Sequence, residues 1–408
     1  MRRRTRIGLA AIAVGALALS ACANTTEGSP TAGSDTGDDS GPYRVGVLVP
    51  TTGALSAVGE AMRDGITVQA DIINEQGGVN GREIELIFKD DQSTPEIGVT
   101  AMNEFVRDDV DAVLGGYASA VTLAVQPIAA RANMLYFVAG SQTSQMFGDA
   151  DPNALRINTN SEVAGYSAAR YIADSGAETV GILWENSAYG QDALAQFESE
   201  LESIGGVEIV ESAQFETGDT DFRTAVGNVK AADPDVAITF ASQALTGQVV
   251  LMQQLTAAEL DSQLMAGFGT VFPETIELAG ESAEGWISAD IYYPSNEPFT
   301  SYEANVALSE GYSELRGGEA PNRWAAVTAQ SLILWAQTVE EIDTTEAAAV
   351  ADAIKGGSFE NTILGDVTVT EQGQMTATVQ IYRIEDGQPV PVQPIEIPEG
   401  VWQVGAAD

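Results

Sequence analysis

The 408-residue chain contains no histidine, one cysteine and only three lysines, Lys89, Lys230 and Lys355. Without histidine there is no Ser-His-Asp or Cys-His catalysis, no His-ligated zinc and no imidazole switch near neutral pH. Basic charge is scarce as well: 18 Lys+Arg against 59 Asp+Glu leave a formal net charge of −41. Nucleic-acid phosphates need a basic counter-surface and anionic lipid needs a polybasic patch, so both fall away as binding partners. The phosphate-loop pattern G-x-x-x-x-G-K-[ST] is missing, because none of the three lysines follows a glycine. No segment beyond the N-terminus has the unbroken apolar length that crosses a bilayer. What is present is globular: 44% hydrophobic residues and 41 glycines, in a length that suggests two or three domains.

The N-terminus reads Met1-Arg2-Arg3-Arg4-Thr5-Arg6, followed by an apolar run from Ile7 to Leu19. This is an export-signal pattern, a basic segment ahead of a short hydrophobic one. It ends in Leu19-Ser20-Ala21-Cys22, which resembles the lipobox of bacterial lipoproteins and places the sole cysteine where a lipid would be attached. The expectation is a signal peptide over 1–21, with Cys22 anchoring the mature chain to the membrane from outside the cytoplasm. An ordinary export signal with an incidental cysteine is the alternative. Removal of the signal takes four arginines from the 18 basic residues, leaving 14 against 59 acidic ones, a balance of −45. Self-repulsion of that size favours solubility. It also suits a saline exterior, where ions screen it; drift on a solvated surface is the plainer reading. Residues 22–42, rich in Gly, Ser, Thr and Asp, read as a flexible tether.

From Tyr43 onward short β-branched runs alternate with helical periodicity. Strands are expected at Arg44–Val49, Glu83–Phe88, Asp111–Leu114 and Leu135–Val138, with helices over Ala57–Asn74, from Pro95 and from Ser119. A second run places helices at Ser161–Ser175, Tyr189–Ile204, Asp221–Ala232 and Gly247–Ala258. Its strands fall at Thr179–Trp184, Val207–Ala213 and Val236–Phe240. Helices over Phe299–Leu315 and Arg323–Glu341 and strand-like pieces at Asp366–Thr370 and Thr376–Ile384 follow. Alternating units of this kind make parallel sheets covered by helices on both faces, so the fold class is α/β with two doubly wound lobes. A ligand would sit beyond the carboxyl ends of the strands, where loops of both lobes meet.

The order of elements and several turns resemble the leucine/isoleucine/valine-binding family of ABC-transporter substrate-binding proteins, type I periplasmic binding proteins with relatives for amides and urea. Val45-Gly46-Val47-Leu48-Val49-Pro50-Thr51-Thr52-Gly53 resembles the family's opening strand and turn. Ile73-Asn74-Glu75-Gln76-Gly77-Gly78-Val79-Asn80-Gly81-Arg82 resembles its first connection. Asp90-Asp91 before Pro95, Gly218-Asp219-Thr220-Asp221-Phe222 and Asp233-Pro234-Asp235 resemble later turns, and the likeness runs from about Tyr43 to about Ile384. The glycines of these turns read as backbone necessities. Asp90 and Asp91, adjacent on a strand, point to opposite faces and so read as turn or cap residues instead of a catalytic pair; Asp219 and Asp221 read likewise. Asp149-Ala150-Asp151-Pro152-Asn153 imitates the start of a calcium loop but has Ala154 and Asn160 where glycine and glutamate belong, so no metal is expected there.

The resemblance implies a ligand site in an interlobe cleft. Ser119, in Gly115-Gly116-Tyr117-Ala118-Ser119, matches the serine that holds a ligand carboxylate; a hydroxyl with free N–H groups at a helix start is an anion site in its own right, and a plain N-cap is the alternative. Ser141 and Thr143 both match the next contact turn, Ala139-Gly140-Ser141-Gln142-Thr143-Ser144, whose register is open by one residue. Tyr189 matches the tyrosine that closes over the ligand, though a tyrosine in such a loop is also a common surface residue. Ser242 and Gln243 stand near a position where amino-acid binders carry an aromatic residue. Val58 matches an apolar wall contact. Phe268 stands about where those binders place the carboxylate for the ligand ammonium, and a buried ammonium without a counter-charge is costly. Glu162, Glu185 and Glu274 are candidate substitutes; otherwise the ligand lacks an ammonium, as an amide or an aromatic acid on Phe268 would.

The resemblance implies a monomeric, non-enzymatic and cofactor-free binding protein. It would close on a small polar solute, branched-chain amino acid or related amide, urea or carboxylate, and deliver it to a permease. The expected division is lobe 1 over 43–160 and 294–376 and lobe 2 over 161–293 and 377–408, with a three-crossing hinge near Asn160, Pro294 and Thr376. A sensor of the same fold that couples to a membrane receptor shares every one of these features. A hydrolase would need a carboxylate or Ser-Lys mechanism, and the three lysines lie on a strand or in helical, turn-like surroundings.

Overall fold

The computed structural model describes residues 41–146, 151–242 and 247–403. The signal segment, Cys22, most of the tether, Asp149, Ala150 and Gln243 lie outside the described residues. The first half of the alternation is β1 (Tyr43–Val49), α1 (Ser56–Glu75), β2 (Ile84–Asp90), α2 (Pro95–Asp108), β3 (Ala112–Gly115), α3 (Ser119–Arg131), β4 (Tyr136–Val138) and β5 (Ala154–Arg156). These strands form one parallel sheet in the order β2-β1-β3-β4-β5. β3 and β4 are buried throughout and β1 nearly so, which is why their sequences are continuous apolar runs instead of alternations. Pro95 opens α2, where a missing N–H costs nothing.

The second half runs α4 (Ser161–Asp174), β6 (Thr179–Glu185), α5 (Ala188–Ile204), β7 (Glu208–Phe215), α6 (Arg223–Ala232), β8 (Val236–Phe240), α7 (Val249–Ala257), β9 (Gln263–Ala266), α8 (Pro273–Ala279) and β10 (Ile287–Asp290). The chain continues through α9 (Glu303–Leu315), α10 (Arg323–Ile342), α11 (Ala347–Ile354), β11 (Ser358–Thr362), β12 (Gly365–Val369), β13 (Met375–Thr376), β14 (Val379–Glu385), β15 (Gln388–Ile395) and α12 (Glu399–Trp402). The second sheet is ordered β15-β14-β10-β9-β8-β6-β7. Its β7-β6-β8-β9-β10 part is parallel, while β14 and β15 are antiparallel additions. That mixed edge departs from purely parallel sheets. Its cause is local: Asp386-Gly387, both at positive φ, turn β14 straight back into β15 as a hairpin.

The strand expected over Thr376–Ile384 is two elements, β13 in a small antiparallel sheet with β11 and β12, and β14 in the large sheet. α1 packs along α10 and α4 along α5, so each sheet carries its own helices. The fold is therefore α/β, two lobes each built on a doubly wound sheet. The opening turns behave as backbone devices: Gly53, Gly77, Gly78 and Gly81 all adopt positive φ. Asp90 accepts Thr52 and Gln92 N–H, and Asp91 accepts Ser93 N–H at 2.8 Å, so the pair builds a turn. Asp219 caps Glu216 N–H, and Asp221 accepts from Arg223.

Candidate functional site

In both sheets the strand order reverses between two central strands, β1 and β3 in the first and β6 and β8 in the second. The crevice beyond their carboxyl ends is where a doubly wound sheet leaves backbone N–H groups and loops free for a ligand. A cavity of about 270 Å³ lies there. The first lobe lines it with Leu55, Tyr117, Ser119 and Gln142, the second with Tyr189, Ser242, Phe268 and Thr270; Trp324 of α10 closes the back. No lining side chain among the described residues is charged.

Ser119 is the first residue of α3, and the cap position is Ala118, whose side chain offers no hydrogen bond, so the plain-cap reading of Ser119 does not apply. Its hydroxyl instead accepts from Ser141 Oγ at 3.1 Å, beside an uncapped helix N-terminus. This places a hydroxyl and an uncapped helix N-terminus, groups of the kind that can hold an anion, on the cavity wall. Reaching it needs the turn Gly115-Gly116 at φ 126° and 71°. A Cβ on Gly116 would run into the Tyr136 hydroxyl. Ser141 is 1% exposed and touches the cavity only through Ser119. Thr143 is buried off the cavity; its carbonyl accepts Arg156 Nη1 at 2.8 Å and its hydroxyl accepts Gln145 N–H. Val58 is in the α1 core, and Leu55 holds the wall in its place.

Across the cavity, Tyr189 sits in the first turn of α5, capped by Ser187, whose hydroxyl accepts Gly190 N–H at 3.1 Å. The Tyr117 hydroxyl donates to the Ser242 carbonyl at 2.8 Å, tying the first lobe to the second. Ser144, N–H and hydroxyl both, donates to Asp192 of α5 at 2.7 and 2.5 Å and forms a second tie. The two lobes are thus in contact both at the cavity and away from it. Burial pushes the Tyr117 and Tyr189 hydroxyls far above the usual phenol range, so both stay neutral.

Phe268 is 3% exposed and forms a wall with Arg323 behind it. The Arg323 guanidinium is fully buried, 5.1 Å from the Phe268 ring centre and 4.0 Å from that of Trp324. It pairs with Asp290 Oδ1 at 3.4 Å and donates to Asn158 Oδ1 at 3.1 Å. Burial pushes the Asp290 carboxyl up to about 6 against the pull of Arg323, and burial also lowers Arg323. Gly269, at φ 70°, leaves the room that this guanidinium occupies; a Cβ there would collide with it. Of the three candidate acids, Glu162 lies by Arg156 and Asp192, and Glu274 lies by Asn322, whose Nδ2 is 3.4 Å away. Glu185, at the end of β6, accepts Ser242 N–H at 2.5 Å and is the one bonded to a cavity residue. None of the lysines reaches the cavity: Lys89 pairs with Glu104, Lys230 donates to the Ala258 carbonyl and Lys355 to that of Pro152.

Sequence reasoning passed over Tyr117, Trp324 and Arg323. Arg323 carried a signal, as a charged residue opening the long apolar helix Trp324-Ala325-Ala326-Val327.

The periplasmic binding protein family model matches residues 42–389, most of the chain. The chain belongs to the periplasmic binding protein family. It is 28% identical over 331 residues to the Leu/Ile/Val-binding protein homolog 2 of Brucella abortus, covering 81% of this chain and 86% of the relative. In structure it is similar to a Rhodopseudomonas palustris ABC-transporter solute-binding protein in complex with 3,4-dihydroxy benzoic acid. That likeness has a TM-score of 0.78 at 21% identity and covers 87% of this chain and 97% of the other. It is comparably similar to the branched-chain amino acid transporter substrate-binding protein LivJ of Streptococcus pneumoniae in complex with isoleucine, with a TM-score of 0.77 at 20% identity over 87% and 99% of the chains. Membership makes this an extracytoplasmic solute-binding protein. Among the described residues no helix is long and apolar enough to cross a membrane.

Proposed function

We propose that this protein captures a small carboxylate with an apolar or aromatic body and no ammonium group, and hands it to a membrane permease. The carboxylate lies on the uncapped start of α3 with Ser119, and the body lies among Tyr117, Tyr189, Phe268 and Trp324. One observation carries this reading: where an ammonium would need an acid, the wall presents Phe268, and the charge directly behind that ring is the buried cation Arg323. An ammonium placed there would be desolvated with no acid free to receive it, because Asp290 behind the wall already pairs with Arg323. The aromatic lining gains from a flat or branched apolar body instead. Cys22 carries the lipid anchor, residues 22–42 form the tether, and opening swings the lobes about crossings near Asn160, Pro294 and Thr376.

Titration calorimetry with phenylalanine and 3-phenylpropanoate, which differ by the ammonium alone, tests the reading. It requires 3-phenylpropanoate to bind more tightly; tighter binding of phenylalanine contradicts it.

A further inference from the structure

Resting on the hinge in that reading, we infer that Arg323 is a positioning residue that ties the three interlobe crossings to one another and to the cavity wall. Filling the cavity then biases the lobes toward closure without any contact between Arg323 and the ligand. α10 packs along α1 and so belongs to the first lobe, yet its first residue sends the guanidinium out of that lobe. Nε lies 3.4 Å from Asp290 Oδ1, and Nη2 donates to the Phe268 carbonyl at 3.5 Å, both in the second lobe. The group enters so far that a Cβ on Gly269 would collide with it.

Each crossing reaches this one cation. The first, between β5 and α4, supplies Asn158 Oδ1 and Thr159 Oγ1, which accept from Nη1 at 3.1 and 3.4 Å. The second leaves the end of β10 at Asp290, whose Oδ1 also accepts Ile291 and Tyr292 N–H. The third is joined one step away: Gln374, just ahead of β13, donates through Nε2 to the Asn158 carbonyl at 2.5 Å. Arg323, Asn158, Thr159, Asp290 and Gln374 are all fully buried. A buried cation stripped of a partner is costly, so this node favours the one lobe arrangement that satisfies it.

The same residues hold the cavity lining from behind. Asn158 Nδ2 donates to the Gly140 carbonyl at 2.8 Å, and Thr159 Oγ1 accepts from Gln142 Nε2 at 2.6 Å. Arg323 itself lies against the Phe268 and Trp324 rings. Gly140 and Gln142 line the cavity from the first lobe, Phe268 from the second, and Trp324 from its back. A ligand packed among these four fixes the surroundings of the guanidinium on both lobes at once, in the arrangement that bonds the crossings.

Hydrogen exchange and calorimetry on Arg323→Lys and Thr159→Val test this. Lysine keeps the charge beside Asp290 but lacks the fork that spans both lobes, and valine keeps the shape of Thr159 while removing its hydroxyl. In ligand-free protein, Arg323→Lys is expected to speed exchange about 10-fold or more at the Ile291 and Tyr292 amides of the second crossing. The same gain is expected at the Arg156 and Ser161 amides flanking the first, while β1 and β3 stay within about threefold. Faster exchange confined to α10, or equal throughout the protein, overturns the inference, since Arg323 would then be a local or a global prop. With 3-phenylpropanoate, Arg323→Lys is expected to weaken binding about 10-fold and Thr159→Val about fivefold, the double variant little more than Arg323→Lys alone. Losses that multiply to about 50-fold overturn the inference as well. If Arg323→Lys does not fold, Thr159→Val decides, and unchanged exchange at the crossings with unchanged affinity counts against the inference. Failure of 3-phenylpropanoate to bind the wild type contradicts the proposed function instead, and the exchange pattern, which needs no ligand, still decides on Arg323.

Discussion

The tie between Ser144 and Asp192 predicts how much of the affinity comes from lobe closure. Ser144 follows the β4 strand of the first sheet and Asp192 lies on α5 beside the second, so both hydrogen bonds join the lobes without touching the cavity. Asp192 is 7% exposed, and both of its oxygens are engaged by one residue at 2.7 and 2.5 Å. Bonds to a charged acceptor contribute roughly 1.5–3 kcal/mol, but in an open form water replaces them, so Asp192→Ala should cost the closed form about 2 kcal/mol. A loss confined to the closed form passes directly into apparent affinity, an expected weakening of about 30-fold for whatever ligand the cavity takes. Calorimetry gives the dissociation constant, and small-angle scattering with and without ligand shows whether the variant still compacts on binding. A dissociation constant within about twofold of the wild type would refute the reasoning, because the two bonds would then be equally present in the open form.

Four further outcomes follow from the same geometry. Burial, with Glu319 adding to it, pushes the Glu274 carboxyl from the usual 4.5 up to about 7, against the pull of Asn322 and Arg316. The folded state therefore holds this proton more tightly than the unfolded chain, and stability is lost as pH rises from about 4.5 through 7. Denaturant melts at pH 5 and 8 should show Glu274→Gln losing less stability over that interval than the wild type, a difference that sets aside the other raised acids, Asp91, Asp151, Glu162, Glu200 and Asp290. Ser119→Ala should weaken a carboxylate ligand by about tenfold with little change in melting temperature, read by calorimetry and thermal denaturation. Gly269→Ala should destabilise by about 1–3 kcal/mol through its positive φ and the collision with Arg323, read by urea unfolding. With a formal net charge of −41, unfolding midpoints should rise along a salt series; a flat response would remove the case for a saline habitat.

The parts of the fold that were legible are those whose burial follows a period. α1 and α10 carry helical spacing over 20 residues each, and β1, β3 and β8 are apolar runs, so their positions were readable to within a residue or two. β9, β10 and α8 were passed over because four to seven residues are too few to show a period. β15 was hidden by Pro389, Pro391 and Pro394, which argue against a strand; as an edge strand beside β14 alone it tolerates them.

At the site, Ser119, Tyr189, Ser242 and Phe268 were readable from their turns and come together on one cavity, while Thr143 and Val58 share those turns' neighbourhoods but are packed away from it. The pairing of Arg323 with Asp290, and of Tyr117 with Ser242, joins residues 33 and 125 positions apart, respectively. Such contacts are set by how β10 and α10 or the two lobes meet, and no local pattern announces them.

The most direct test of the central claim sets leucine against 4-methylpentanoate, the same branched carboxylate without its ammonium, in one calorimetric titration series on the purified protein. The account predicts measurable binding of 4-methylpentanoate and none, or far weaker binding, of leucine. Tight binding of leucine with silence from 4-methylpentanoate would contradict it, and would mean that a carboxylate, with Glu185 the first to examine, receives the ammonium despite Arg323.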